Sequence, residues 1–314
     1  MRFNGTMINR RQFLATAAAM ATSGAAMLRF RPAMATNAER ITKPIAKSGE
    51  RIGAVGMGSW ITFNVSDDAA ARAARTQVLK AFFTAGGGLI DSSPMYGSSE
   101  AVIGHCLNRL KPESGLFSAT KVWTSSKSAG EAQFRDSLRF WGVEKLDLYQ
   151  IHNLLGWRDH LETLSRLKAD GEIRYIGITT SHGRRHDELE QIIRTRPEFD
   201  FVQLTYNPAD RDAEARLLPA ALDNGMAVIV NRPFRRGALT DRLAAKPLPA
   251  WAAEIGCTGW PQLLLKFAIS HPAVTCAIPA TSQVPHMIEN MAAGRGRLAD
   301  ADIRRRIADQ VALL

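Results

Sequence analysis

The sequence predicts a (β/α)8 TIM barrel of the α/β class, preceded by an N-terminal β-hairpin. Short apolar, strand-like runs alternate with helical patterns along the chain, which favours a parallel sheet covered on both faces. Eight such runs follow the hairpin, and eight is the strand count of a closed barrel. An open doubly wound sheet is the alternative, but no Gly-x-Gly-x-x-Gly turn follows the first strand. The 314 residues, 46% of them hydrophobic, suffice for one such domain.

The elements can be placed from periodicity and turn residues. Strand-like runs at 41–46 and 51–56 flank a Gly-containing turn and predict the hairpin. Glycines that follow helical runs mark helix ends, as at Gly142, Gly171 and Gly225. The predicted barrel strands are 54–57, 89–92, 117–121, 146–152, 175–178, 201–204, 227–231 and 275–278. The predicted helices are 69–85, 99–110, 130–141, 160–170, 185–194, 214–224 and 260–270.

Residues 1–35 resemble a twin-arginine (Tat) signal peptide. Arg10 and Arg11 precede Phe13, an alanine-rich apolar stretch follows, and residues 33–35 offer a small-x-small cleavage pattern. The apolar stretch is short, so no stable membrane insertion is expected. The sequence therefore predicts a folded export to the periplasm by the Tat machinery, with residues 36–314 as a single barrel domain. The alternative is an N-terminal helix of a cytoplasmic protein.

Charge and cysteine content exclude several classes of function. The net charge is +10, but half of it comes from five arginines within residues 1–35, which contain no acid. The remaining excess is mild for a chain of this length and does not indicate a nucleic-acid partner. Cys106, Cys257 and Cys276 are odd in number and match no metal-site spacing, so neither a disulfide framework nor a metal site is predicted.

Four polar side chains follow consecutive predicted strands. Asp91 ends the second barrel strand and Tyr96 lies in the loop after it, while Lys121 and His152 end the third and fourth. Active sites of such barrels lie at the carboxyl ends of the strands, so these side chains are expected to converge. Taken singly, each residue could have a purely structural role. Asp91 could cap a helix, Tyr96 could be a core or rim aromatic, Lys121 could be solvated, and His152 could be a hydrogen-bonded structural residue. Together they suit the delivery of a proton to a carbonyl oxygen.

The motifs around these residues resemble those of the aldo-keto reductase family across residues 40–295. They are the segments 91–100, 119–121, 148–152, 202–203 with 206–208, and 278–279 followed by 289–290. The resemblance implies that Tyr96 is the general acid and that Lys121, paired with Asp91, lowers the pKa of its phenol. It implies that His152 orients the substrate oxygen and that a nicotinamide donates the hydride.

The resemblance also implies a cofactor site, with NADPH favoured over NADH. The sequence departs from the family at three places: residues 179–180 are Thr-Thr where Ser-Asn is usual, Asn231 stands where a Tyr often stacks on nicotinamide, and 280–294 contain no Lys or Arg. The start of a helix near Val284 can still bind phosphate through backbone N–H groups. The predicted cofactor-binding residues are Gly58, Thr179, Thr180, Gln203, Arg232, Pro233, Phe234, Gly237, Leu239, Thr281, Glu289 and Asn290.

Residues just beyond the strand ends predict the substrate pocket. Trp60, Phe63, Trp123 and Asn153 are the candidates, and their aromatic character suggests an apolar or flat small-molecule carbonyl substrate. The favoured function is an NAD(P)H-dependent oxidoreductase that reduces an aldehyde or ketone to an alcohol. The alternative is an exported barrel that acts as a periplasmic binding or scaffold module without turnover. A hydrolase or metal enzyme is disfavoured, because His152 has no ligand cluster at metal-binding spacing.

Overall fold

The computed structural model describes residues 38–112 and 115–314, so the predicted signal peptide lies outside the described residues. The described chain begins with an antiparallel hairpin of β1 (Thr42–Pro44) and β2 (Arg51–Gly53), in which Thr42 lies opposite Gly53. This confirms the predicted hairpin. The strands are shorter than predicted, because the residues after Gly53 turn away to join the barrel.

Eight parallel strands form the barrel, and each pairs with its neighbour in chain order. The first and last are linked by bridges between Val55 and Ala277 and between Gly58 and Ala280, which close the sheet. The (β/α)8 fold is therefore confirmed. The strands are β3 (Met57–Gly58), β4 (Leu89–Asp91), β5 (Phe117–Val122), β6 (Leu146–Ile151), β7 (Ile173–Thr179), β8 (Phe201–Thr205), β9 (Ala227–Asn231) and β10 (Val274–Ala277).

The seven predicted helices and the helix expected to start near Val284 occur in the predicted order, and two further helices, Ala238–Leu243 and Ala301–Leu313, were not predicted. The third and fourth begin three residues earlier than the apolar pattern suggests, and Ser126 caps the third by accepting a hydrogen bond from the Ala129 N–H. The helices are α1 (Ala69–Thr84), α2 (Ser99–Leu110), α3 (Lys127–Trp141), α4 (Trp157–Ala169), α5 (His186–Thr195), α6 (Leu217–Asp223), α7 (Ala238–Leu243), α8 (Trp260–Ile269), α9 (Val284–Ala293) and α10 (Ala301–Leu313).

The hairpin closes the amino-terminal end of the barrel. Ile45 and Ile52 of the hairpin belong to the same buried cluster as Leu89, Phe117 and Phe201, which begin barrel strands. A second, larger hydrophobic cluster lies between the strands and the surrounding helices. Apolar side chains thus fill the amino-terminal end of the barrel, and the polar candidate site residues lie at its carboxyl-terminal end. Among the described residues, no helix is long and apolar enough to cross a membrane.

Candidate active site

A buried ion pair lies at the carboxyl-terminal end of the barrel. Lys121 Nζ is 2.5 Å from Asp91 Oδ2, and the two side chains are 0% and 3% exposed. Lys121 also donates a hydrogen bond to the Ser92 carbonyl oxygen at 2.7 Å. Burial by itself lowers the pKa of Lys121, but Asp91 and Tyr96 outweigh it, so the pKa is raised and the ammonium stays charged.

The loop after β4 places Tyr96 beside this pair. Ser93 caps a single 3-10 turn, Pro94–Tyr96, by accepting a hydrogen bond from the Met95 N–H. Gly97 then has φ +62°, and a Cβ there would lie 2.4 Å from Asn64 Oδ1. That oxygen accepts a hydrogen bond from the Ser98 N–H, immediately before α2. Gly97 is therefore required by its backbone conformation, which sets the path of the loop that carries the phenol.

Tyr96 is half-buried and packs between Lys121 and His152. Lys121 Nζ lies 5.2 Å from the centre of the Tyr96 ring, and the Tyr96 and His152 rings meet edge to face at 5.9 Å. Burial raises the pKa of Tyr96, and the Lys121 ammonium opposes that rise without cancelling it. The expectation of a lowered pKa is thus corrected. A raised pKa keeps the phenol protonated at neutral pH, which is the form that a proton donor requires.

His152 is buried and neutral. Burial, assisted by the positive charge of Lys121, lowers its pKa to about 3. Its Nδ1 lies 3.0 Å from the Ser93 hydroxyl oxygen, which leaves Nε2 as the ring nitrogen without a partner among the described side chains. A neutral imidazole carries one N–H, so His152 can donate one hydrogen bond without adding charge to the site.

The depressed pKa of His152 predicts a pH-dependent stability. An unfolded histidine titrates near pH 6.5, whereas the folded one binds its proton only near pH 3. Between these values the unfolded chain binds more protons, so the free energy of unfolding falls as the pH falls. We expect the free energy of unfolding, measured by urea denaturation, to fall less between pH 7 and pH 4 for His152→Asn than for the wild type. The same pH dependence in both proteins would contradict this assignment.

A cavity of about 670 Å³ opens beside Tyr96 and His152. Most predicted site residues line it, together with others that the sequence did not assign as contacts, among them Arg184, Arg236, Asn231 and His286. The predicted residues that line it, besides Asp91, Tyr96 and His152, are Gly58, Trp60, Asn153, Thr179, Thr180, Gln203, Arg232, Pro233, Phe234, Gly237, Thr281, Glu289 and Asn290. Lys121 does not line the cavity, but its Nζ lies 5.2 Å from the centre of the Tyr96 ring, which does.

Besides Lys121, three predicted residues do not line the cavity. Phe63 is 0% exposed and belongs to the hydrophobic core, so it is removed from the candidate substrate pocket. Trp123 is 43% exposed at the surface, and its backbone is bonded to the Gln133 amide. Leu239 is buried, and its N–H donates to the Phe234 carbonyl oxygen, so that N–H is not free for a phosphate. Side-chain direction in these loops depends on the backbone path, which the sequence pattern does not specify.

The cavity contains groups that suit an anionic ligand with hydrogen-bonding ends. Thr180 Oγ1 and Arg232 Nη1 are buried atoms without a hydrogen-bond partner. Burial and the positive charge of Arg236 lower the pKa of Arg232. Arg184 and Arg236 also line the cavity, and the Arg236 guanidinium carbon lies 4.2 Å from the centre of the Trp60 ring. Buried donors without partners are costly, so a phosphate-bearing nicotinamide cofactor fits the residues present.

The site thus combines a buried ion pair, a phenol and an imidazole with an arginine-lined cavity at the carboxyl-terminal end of the barrel, where the active sites of (β/α)8 enzymes lie. Within the described residues, no group of three or more His, Cys, Asp or Glu side chains could hold a metal ion. The chain belongs to the aldo/keto reductase family, because the model of that family matches residues 54–306. It is accordingly an NAD(P)H-dependent oxidoreductase of carbonyl compounds.

Two relatives from Escherichia coli carry names that specify an activity. The chain is 28% identical over 267 residues to methylglyoxal reductase YeaE, which covers 83% of this chain and 92% of the relative. It is 29% identical over 196 residues to an NADH-specific methylglyoxal reductase, covering 52% and 57% of the two chains.

Solved structures show the same fold. The thermostable aldo-keto reductase Tm1743, in complex with the inhibitor epalrestat, gives a TM-score of 0.71 at 26% identity, covering 86% of this chain and 99% of that one. The holo form of aldo-keto reductase AKR11C1 from Bacillus halodurans gives 0.71 at 21% identity, with 87% and 96% coverage.

Proposed function

We propose that the protein reduces an aldehyde or ketone to an alcohol, with NADPH as hydride donor and Tyr96 as general acid. The observation that carries the proposal is the position of Tyr96 at the cavity, between the buried Lys121–Asp91 pair and His152. A nicotinamide held in this cavity would supply the hydride that the carbonyl carbon accepts. The Tyr96 hydroxyl supplies the proton to the carbonyl oxygen, and the products are the alcohol and NADP⁺.

The neighbouring residues assist this proton transfer. The Lys121 ammonium stabilises the phenolate that remains after Tyr96 gives up its proton, and Asp91 keeps the ammonium in place. When the Ser93 hydroxyl donates to His152 Nδ1, Nε2 carries the imidazole proton and can hold the carbonyl oxygen. His152 would then position the substrate oxygen beside the phenol.

The part of the cavity lined by Thr180, Gln203 and Arg232 would hold the cofactor. Arg232, with an unpaired buried nitrogen, would bind a phosphate, and Thr180 and Gln203 would face the nicotinamide end. His286 and Glu289 line the cavity in the segment after β10, where no Lys or Arg is present. The preference for NADPH over NADH thus rests on Arg232, Arg236 and the start of α9.

A fluorescence titration tests the proposal. Protein tryptophan emission should be quenched saturably by NADPH, and more weakly by NADH, because Trp60 lines the cavity. Methylglyoxal is a suitable first carbonyl substrate, since both Escherichia coli relatives are named for it. Quenching by neither nucleotide would refute the reductase and favour a binding or scaffold module.

We also propose that residues 1–35 direct folded export to the periplasm. The paired Arg10 and Arg11 support this, together with the following apolar stretch and the small-x-small pattern at 33–35. Replacing Arg10→Lys and Arg11→Lys together should retain the protein in the cytoplasm, as measured by cell fractionation. Unchanged recovery from the periplasm would contradict the export proposal without affecting the catalytic one.

A further inference from the structure

Two buried glutamines converge on the carboxylate that holds Lys121. Gln150 Nε2 lies 2.9 Å from Asp91 Oδ1, and Gln203 Nε2 lies 2.8 Å from the same oxygen. The other carboxylate oxygen receives Lys121. Gln150 is 0% exposed and Gln203 is 2% exposed, so water does not replace these bonds. Asp91 is therefore held by three side chains, and only Lys121 is charged.

The carboxylate fixes which way both amides point. An ionised carboxylate only accepts hydrogen bonds, so each glutamine must turn its NH₂ group, and not its oxygen, toward Asp91. The Gln203 NH₂ group also lies 3.2 Å from Gln150 Oε1, which gives it a second acceptor. Both N–H groups of Gln203 are thus used. Its carbonyl oxygen remains, and the Asn231 amide nitrogen, at 3.4 Å, is its one hydrogen-bond donor among the described residues.

The adjacent strand makes room for Gln150. In the register of β6 and β7, Gln150 lies opposite Gly177. A Cβ at Gly177 would lie 2.6 Å from Gln150 Cγ, which is too close for any other residue type. Glycine within a strand weakens it, because it packs no side chain and loses more backbone freedom on folding. The strand therefore gives up a side chain at the position where Gln150 needs space.

We propose that Gln150 is a positioning residue that holds Gln203 with its carbonyl oxygen ready to accept a hydrogen bond from the nicotinamide carboxamide. This inference rests on the proposed function. Gln150 would link the cofactor end of the cavity to the Asp91–Lys121 pair, since one amide bonds both Asp91 and Gln203. Without Gln150, the bond to Asp91 still turns the Gln203 NH₂ group inward, but the second acceptor that fixes the tilt of the amide plane, and with it the direction of the carbonyl oxygen, is lost.

A cofactor analogue without the carboxamide N–H tests this role. NADP⁺ and its 3-acetylpyridine analogue differ at that group, so the ratio of their dissociation constants reports the hydrogen bond to Gln203. For the wild type we expect NADP⁺ to bind about three- to tenfold more tightly, the effect of one neutral hydrogen bond. Gln150→Met should bring the ratio to within about twofold of one, through weaker binding of NADP⁺.

Gln262→Met is the matched control. Gln262 is also buried and accepts a hydrogen bond from the Thr258 N–H, but it does not line the cavity. This variant should lose stability and keep the wild-type ratio. If Gln150→Met does not fold, Gln150→Asn serves instead, because it keeps an amide in the barrel but is one methylene too short for both bonds.

The outcomes separate the two proposals. A folded Gln150 variant with the wild-type ratio would overturn the positioning role, as would a wild type that binds both nucleotides equally. A wild type that binds neither nucleotide would instead overturn the reductase proposal, and the role of Gln150 with it. Loss of the preference in the Gln150 variant alone, with Gln262→Met unchanged, supports the proposal.

Discussion

Tyr96→Phe is expected to lower kcat for carbonyl reduction by about two to four orders of magnitude, the usual contribution of a general acid. The substitution removes the hydroxyl and keeps the ring that packs against His152 and lies near Lys121. NADPH affinity should therefore change by less than about twofold, within the effect of one weak contact. Steady-state rates of NADPH oxidation and a fluorescence titration measure the two quantities on the same sample.

Tyr149→Phe provides the control for loss of a tyrosine hydroxyl. The Tyr149 hydroxyl is buried without a hydrogen-bond partner, and the residue does not line the cavity. Its removal should leave kcat at the wild-type value. If Tyr96→Phe retained more than about a tenth of the wild-type kcat, another group would have to donate the proton, and the acid assignment would be wrong.

Lys121→Met should lower the free energy of unfolding by about 3–5 kcal/mol, because it leaves the buried Asp91 carboxylate without its counter-charge. The change should also abolish most activity, since Lys121 stabilises the phenolate. Adding Asp91→Asn to this variant should restore much of the stability, because the uncompensated charge disappears, but it should not restore turnover. Urea denaturation followed by circular dichroism measures the stability of each protein.

An exposed ion pair supplies the comparison for this cycle. Lys127 and Glu162 are 3.0 Å apart with side chains 46% and 78% exposed, so Lys127→Met should cost less than about 1 kcal/mol. The two ion pairs thus differ in the burial of both partners. Equal stability losses in Lys121→Met and Lys127→Met would show that burial does not raise the cost of leaving Asp91 without its counter-charge.

The fold could be predicted from the sequence because each barrel strand is a short apolar run followed by a helical pattern. The prediction of the first barrel strand was the least accurate. Residues 54–57 read as a strand, but the sheet begins at Met57, while Ala54 and Gly56 form the hydrogen bonds with Ala277 that close the barrel. Closure joins the two ends of the sequence, and a local pattern carries no information about it.

The catalytic part of the candidate site was predictable for a related reason. Asp91, Lys121 and His152 end neighbouring parallel strands, so the fold brings them to one end of the barrel. Gln150 was missed because it lies within a buried run and resembles any other strand residue. Phe63 was misplaced because its side chain turns into the core, next to a loop in which Ile61 has φ +63°.

The most direct test of the account is the stoichiometry of methylglyoxal reduction by the purified protein with NADPH. We expect one molecule of alcohol to form for each NADPH oxidised, and we expect Tyr96→Phe to bind NADPH but to form almost no alcohol. The contradicting result is a protein that binds NADPH but does not oxidise it with methylglyoxal or with any aldehyde or ketone of a broad panel. Such a protein would be a binding module with the fold of a reductase.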